Sequence, residues 1–333
     1  MAPPAGTDVL IVSVGATTGW RTAARQLQGA FELAGARVMT ADTGPVGEVR
    51  TFIATDFVQA LAARRVAAAA IARHHPAAVV YCSITAALLW PSPGVIWLDA
   101  LAAENRPGRH GVWQRVVERR RVARAPLLMT MASGSDALAP LGGRRHADTV
   151  VVPVAVDSSG PADGVRDLEV LAYTGDPVKR RLDDILAAWR QARREGETLV
   201  VAGIERSESI PGVRFAGRLP PVEFRALLRR ARVFVTAPRR EDFGIAALEA
   251  LADGAMLVTT PSPGAYPALA LARRLDPRLV SEDLAVSLRC ALDSPLPDYV
   301  TRAAALMAPF HRTAVAATLS QRVLPRLLPG WRP

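Results

Sequence analysis

Two glutamates, Glu241 and Glu249, stand eight positions apart in the stretch "REDFGIAALEALADG", on either side of Phe243 and Gly244. A carboxylate only accepts hydrogen bonds, and it can take both hydroxyls of a vicinal diol. The glycine stands where an apolar run, "VFVTAP", has ended and a helical pattern begins. The first turn of a helix leaves backbone N–H groups without intrahelical partners and carries partial positive charge, which suits a diphosphate. Glycine lets a ligand approach that backbone closely. Glu241 would face hydroxyls on one side of the phosphates, and Glu249 those of a ribose on the other. The ligand that fits such an arrangement is a nucleoside diphosphate sugar. Spacing alone does not decide it, because Glu197 and Glu205 have the same separation around "TLVVAG". The plain alternative is an acid at a helix N-terminus and another on a solvated helix face.

Short apolar runs alternate with helical stretches along the whole chain. "DVLIVSV", "RVM", "AVVYCS", "GVIWLD", "LLMTM" and "TVVVP" read as strands in the first half. "RTAARQLQGAFELAG", "FVQALAARRVAAAAIARHH" and "GVWQRVVERRRVARA" read as helices between them. Uninterrupted apolar strands separated by helices predict parallel sheets covered on both faces. A polar Gly/Pro-containing stretch, "VAVDSSGPADG", then interrupts the pattern. A second series follows, from "LEVLAYTG" to "MLVTTP", and the tail from Pro297 is largely helical. The expected architecture is α/β, two doubly wound Rossmann-like domains facing a central cleft. The expected boundaries are 1–155, 156–300 and a helical segment 301–333 that crosses back to the first domain.

The block "REDFGIAALEALADGAMLVTT" resembles the E-x-F-G-x-x-x-x-E-A-x-A-x-G motif of retaining glycosyltransferases of the GT-B type, the family 4-like glycosyl transferases group 1. Glu241, Phe243, Gly244, Glu249, Ala250, Ala252 and Gly254 match it. The resemblance continues upstream through "GVRFAGRLPPVEFRALLRRARVFVTAP" and "LAYTGDPVKRRLDDILAAW", while the first half is similar only in layout. It implies that Glu249 binds the donor ribose and Glu241 the donor sugar, with the backbone of Phe243, Gly244 and Ile245 facing sugar and diphosphate. Gly175 would lie in the phosphate segment, Lys179 or Arg180 would neutralise the diphosphate, and Arg218 is a further candidate. Gly15 corresponds to the first domain's glycine loop. Asp99 or Asp136 stands nearest to a histidine that the family carries after a strand of that domain; Asp99 joins Glu241, Lys179 and Arg180 as a catalytic candidate. His110, Asp99 and Asp136 are candidates to approach the acceptor. Three departures bear on activity: Asp176 replaces a basic residue after "TG", the linker reads "PVAVD", and "TPSPGAYPAL" lacks a glutamate after its glycine.

The implied function is transfer of a sugar from a nucleoside diphosphate donor to a hydroxyl acceptor, with retention. The acceptor is a small molecule, a glycan or a lipid-linked species. The resemblance implies no cofactor beyond the donor itself. No Asp-x-Asp motif occurs and His74, His75, His146 and His311 have no ligand spacing, so no catalytic metal is expected. The alternatives are a catalytically silent GT-B subunit supporting a partner transferase, and a GT-B sugar-nucleotide epimerase. A nicotinamide site is disfavoured because "GATTG" lacks the G-x-G-x-x-G spacing.

The 333 residues are enough for two domains, and half are hydrophobic, so a large core can form. The net charge is +10, and every basic residue except Lys179 is arginine. With this much alanine, the bias reads as a bacterial GC-rich genome. The charge is spread over both halves and no nucleic-acid motif is present, so nucleic acid is not an expected partner. Cys82 and Cys290 match no metal or redox spacing, which fits a reducing cytoplasm. The N-terminus lacks a basic region ahead of its apolar run and is not read as a signal peptide. The uncharged stretch from Pro76 to Leu98 is long enough to span a bilayer, but "PSPG" breaks it, predicting two buried strands. The basic helix Gly111–Arg124 places Val112, Trp113, Val116 and Val117 at helical spacing among arginines. It reads as an amphipathic core helix, or as a peripheral contact at the inner face of the membrane.

Overall fold

The alternating runs become two wholly parallel sheets in the computed structural model, which describes residues 6–15, 17–44, 46, 52–105, 108, 111–132, 148–161 and 164–332. Residues 1–155 with 310–333 form one compact unit, and residues 156–309 form the other.

In the first unit the strands are Val9–Ser13 (β1), Val38–Asp42 (β2), Ala78–Cys82 (β3), Val95–Leu98 (β4), Leu128–Thr130 (β5) and Thr149–Val151 (β6), ordered β2-β1-β3-β4-β5-β6. β1 is buried throughout, as a central strand covered on both faces must be. The helices are Thr18–Leu33 (α1), Phe52–His74 (α2), Ile84–Ala87 (α3), Ala102–Asn105 (α4) and Val112–Val122 (α5). Thr17 caps α1 by accepting the Trp20 N–H at 3.2 Å. Ala23, Leu27, Ala30 and Phe31 form the buried stripe of α1. The uncharged stretch from Pro76 to Leu98 becomes β3 and β4 with the short α3 between them. Among the described residues no helix is long and apolar enough to cross a membrane.

α5 corrects an expectation. Val112 and Val116 point outward, 51% and 44% exposed, while Trp113 and Val117 lean only partly on the core. The fully inward positions are Gln114, Glu118 and Val122. Two of these are polar, and each has a dedicated partner. Gln114 Nε2 donates to Asp56 Oδ2 on α2 at 3.1 Å, and Glu118 Oε2 accepts the Ala102 N–H at the start of α4 at 2.7 Å. These buried hydrogen bonds, not the valines, set the rotation of the helix.

In the second unit the strands are Leu168–Tyr173 (β7), Leu199–Ala202 (β8), Val213–Gly217 (β9), Ala231–Thr236 (β10) and Met256–Thr259 (β11). The helices are Leu182–Ala192 (α6), Pro221–Arg230 (α7), Ile245–Ala252 (α8), Pro267–Leu275 (α9), Leu284–Asp293 (α10) and Tyr299–Met307 (α11). The order is β11-β10-β7-β8-β9, so the chain starts mid-sheet, builds outward through β8 and β9, then crosses to β10 and β11. The strand order reverses between β7 and β10. In open parallel sheets the crevice for ligands lies just beyond the carboxyl ends of the strands at such a reversal. The tail returns to the first unit, where helix Arg312–Thr318 (α12) packs on α1 and Arg312 donates to Gln26 at 2.8 Å.

Candidate functional site

The carboxyl ends of β7 and β10 carry the residues of interest. Beyond β10 the chain runs through Pro238 and Glu241 to Gly244, the residue that caps α8 in the left-handed region at φ 81°. A Cβ on Gly244 would lie 2.6 Å from the ring of Tyr266. Gly264, at φ 109°, stands across from it: a Cβ there would meet the Glu241 carbonyl at 2.1 Å. Only glycine is accommodated at both, and their approach locks two loops together. The Glu241 N–H then donates to the Pro263 carbonyl at 3.0 Å, and Ser262 donates to the Pro238 carbonyl at 2.6 Å. The loop that lacks the expected glutamate therefore serves as the backbone clamp of Glu241.

Beyond β7, Asp176 organises a tight turn. Its carboxylate accepts the Lys179 N–H at 2.9 Å, and its carbonyl accepts the Arg180 N–H at 3.0 Å. The acid that replaces an expected cation is thus a turn acceptor. The turn aims Arg180 at Glu241: its Nη1 donates to Glu241 Oε2, and both side chains are largely buried. Lys179 goes the other way. Its side chain is exposed and its carbonyl accepts the Arg239 N–H at 2.9 Å. Arg180 and Glu241 line a tight crevice of about 10 Å³, with Tyr173, Thr236, Gly244 and Ala246 around it. The side chain of Gly244 being absent, the opening turn of α8 has no side-chain cap. Its first N–H groups have no intrahelical acceptor, by helix geometry. Tyr266 is also at the pocket; burial pushes its phenol well above the usual range, and its hydroxyl lies 3.2 Å from Thr259 Oγ1.

Glu249 lies farther along α8, with 18% of its side chain exposed. Burial pushes its carboxyl up to about 7; Arg225 opposes that rise and Asp253 adds to it. Arg225 Nη1 is 3.6 Å from Glu249 Oε1.

The remaining candidates separate. Gly175 follows β7, packed so closely against Gly203 that a Cβ on Gly203 would be 2.7 Å from the Gly175 nitrogen. Phe243 is buried and Ile245 half-buried. Arg218 is exposed on the loop after β9. Gly15 and Asp99 belong to the first unit. The Gly15 carbonyl accepts from Arg21 at 2.8 Å, and a Cβ there would meet Asp42 Oδ1 at 2.5 Å. Asp99 follows β4 and accepts the Ala100 N–H at 2.8 Å. His110, Asp136 and His146 lie outside the described residues. Tyr173, Thr236, Tyr266 and Arg225 were not anticipated. The first two end apolar runs, a position that gains meaning only once the strand order is known.

With this geometry in place, the comparisons are specific. Residues 169–312 match the family model of glycosyl transferases group 1. The matched segment runs from β7 into α12 and holds Arg180, Glu241 and Glu249, so the resemblance to glycosyl transferases group 1 is met at the level of the family. Two curated relatives, both glycogen synthase from Mycobacterium tuberculosis strains, are 29% identical over 258 residues, covering 66% of this chain. The chain spans 59% of their length. Among solved structures, WaaG, a glycosyltransferase involved in lipopolysaccharide biosynthesis, aligns with a TM-score of 0.65 at 15% identity, covering 97% of this chain and 100% of that one. Sucrose-phosphate synthase from Thermosynechococcus elongatus aligns at 0.65 with 16% identity, covering 95% and 98%. Anabaena HepE in complex with UDP and glucose gives 0.65 at 14% identity, covering 95% and 98%. At these identities the likeness is one of fold, and the fold is GT-B. Within the glycosyl transferases group 1 segment, Glu241 lies at the switch point of the second sheet, and Glu249 follows in the last turn of α8.

Proposed function

We propose that the protein transfers a sugar from a nucleoside diphosphate donor to a hydroxyl acceptor, with retention at the anomeric carbon. The observation that carries this reading is the Arg180–Glu241 pair set beside the opening turn of α8, at the point where the strand order reverses. Glu241 supplies acceptors for sugar hydroxyls, and Arg180 supplies a cation for the diphosphate. Charge builds on the leaving oxygen as the glycosidic C–O bond breaks, and in this reading the guanidinium and the helix N–H groups stabilise it. In front-face attack the acceptor oxygen bonds the anomeric carbon on the side the diphosphate leaves, and the acceptor proton passes to the departing phosphate oxygen. Neither a metal nor a resident cofactor enters this scheme. Anabaena HepE, similar in fold, is in complex with UDP and glucose, which is consistent with it. A thermal-shift screen against UDP, GDP, ADP, TDP and their sugars tests it. At least one diphosphate should stabilise the parent protein, and Glu249→Ala should abolish the stabilisation. A folded parent that ignores every nucleotide ends the reading; stabilisation without turnover, in the presence of a stable partner chain, would favour the silent-subunit alternative.

One observation also favours a peripheral place at an anionic membrane surface. The acids of α2 and α5 are Asp56 and Glu118, 4% and 2% exposed, so their outward faces carry arginine without carboxylate. Phe57, Val112 and Val116 are exposed there, and the Phe57 and Trp113 rings meet with centroids 6.2 Å apart. Basic side chains around exposed apolar ones suit an anionic bilayer surface. The protein should sediment with phosphatidylglycerol vesicles and not with phosphatidylcholine vesicles, and Val116→Glu should weaken the association. Equal indifference to both vesicles would remove the membrane from the picture.

A further inference from the structure

Arg225 on α7 has 15% of its side chain exposed and its guanidinium almost fully committed. Nε donates to Asp253 Oδ2 at 2.6 Å and Nη2 to Asp253 Oδ1 at 2.8 Å, a fork-to-fork pair. Nη2 also donates to the Asp157 carbonyl at 2.7 Å. Asp253, whose side chain is fully buried, accepts from Ser159 as well, at 2.7 Å from its N–H and 2.9 Å from its hydroxyl. Arg229 adds a bond to the Ser159 hydroxyl. The first residues of the second unit are therefore pinned to α7 and α8 by one guanidinium and one carboxylate. The remaining nitrogen of Arg225, Nη1, faces Glu249 at 3.6 Å. That is too long for a hydrogen bond and short enough for strong attraction where water is scarce.

We infer that Arg225 is a positioning residue for the donor: held by Asp253 and the Asp157 carbonyl, it fixes the Glu249 carboxylate where a ribose diol is read. The inference rests on the donor-site reading of Glu249 given above. Two structural features support it. The fork on Asp253 leaves Arg225 no rotational freedom, so Nη1 can only point at Glu249. In addition, the charged groups around Glu249 are few. Arg225 comes from α7, and Asp253 from its own helix, with Arg166 bonding the Asp253 carbonyl at 2.7 Å. α9 and α11 also pack on α8, and their charged residues are Arg273, Arg274 and Arg302, the last donating to the Arg274 carbonyl at 2.8 Å. β10 brings Arg232, which donates to the Leu292 carbonyl at 2.8 Å. Arg225 is thus the cation whose charge favours the ionised form of Glu249 and partly offsets its burial.

The test measures nucleotide affinity across pH for the full-length parent, Arg225→Gln, Arg225→Lys and Glu249→Ala, with UDP, GDP, ADP and TDP as probes. Removing the cation raises the Glu249 carboxyl further, so its ionised fraction at neutral pH falls. Arg225→Gln should therefore weaken binding roughly tenfold at about pH 7 and recover much of it at about pH 9. Arg225→Lys, keeping the charge, should stay within about threefold of the parent. Thermal unfolding of each variant separates a binding loss from a folding loss. If Glu249→Ala destroys binding while Arg225→Gln lowers it equally at every pH, the positioning role is wrong and the donor site stands. If Glu249→Ala leaves binding intact, the Glu249 reading fails and Arg225 with it.

Discussion

Helices α5 and α8 each bury one glutamate, and different partners oppose the effect of that burial on the two acids. Burial pushes both Glu118 and Glu249 up to about 7. Glu118 is 2% exposed and its carboxylate accepts the Ala102 N–H, which starts α4. It serves as a side-chain cap inside the fold and sets the rotation of a helix whose outer face is basic. Glu249 keeps 18% of its side chain in contact with solvent and faces a guanidinium rather than a backbone donor. It lies on the helix that begins at the strand-order reversal. A raised carboxyl therefore does not mark a binding site by itself. What separates the two is whether the acid's hydrogen-bonding capacity is spent on the chain's own backbone, as in Glu118, or set against a guanidinium at a partly solvated position, as in Glu249.

The largest effect that would break this comparison concerns stability and pH. A carboxyl raised above its unfolded value binds its proton more tightly in the folded state. Its stabilising contribution is complete below about pH 4.5 and is lost as pH rises through about 7. For Glu118 the loss is on the order of 3 kcal/mol, an upper figure for a group so fully buried. Glu118→Gln should thus be more stable than the parent at about pH 8 and flatten the decline between acid and alkaline buffers. Glu249→Gln should flatten it much less, because part of Glu249 is hydrated and Arg225 offsets its charge. Urea unfolding at several pH values reads both. A Glu118→Gln protein with the parent's full pH dependence would show that the two acids are not distinguished by their surroundings.

Much of the frame was legible in the sequence. Apolar runs such as "DVLIVSV" and "TLVVAG" could only be buried parallel strands, and "PSPG" marked the break between β3 and β4. The motif from Glu241 to Gly254 located α8 within two residues of its observed start. The rotation of α5 was not legible. Counting valines placed them inward, but the decision rested on Asp56 and the Ala102 N–H, partners distant in sequence. The choice between Lys179 and Arg180 was hidden for a similar reason. It depends on how Asp176 folds the turn, and an acid in place of an expected cation reads as a lost phosphate contact until its acceptor role is seen. Arg225 carried no signal, since its meaning comes from Asp253 and Asp157, neither near it in the chain.

The smallest predicted effect, that of Lys179→Ala, sharpens the comparison at the other acid of the motif. Arg180 and Lys179 are adjacent, equally cationic and equally close in sequence to the strand end. A model based on local charge would give their removal similar consequences. The turn built on Asp176 instead turns Arg180 toward Glu241 and leaves Lys179 in solvent, with only its backbone engaged. Arg180→Ala leaves Glu241 largely buried without its cation, and such a loss typically costs a few kcal/mol in affinity or folding. Lys179→Ala removes a hydrated charge whose attraction to a diphosphate is screened, and its effect on nucleotide affinity should stay under about twofold at physiological salt. Titration of both variants with the same diphosphates, at low and moderate salt, compares them directly. Equal losses at moderate salt would mean that the diphosphate is held by a diffuse basic field, and that the Arg180–Glu241 pair is an ordinary structural contact.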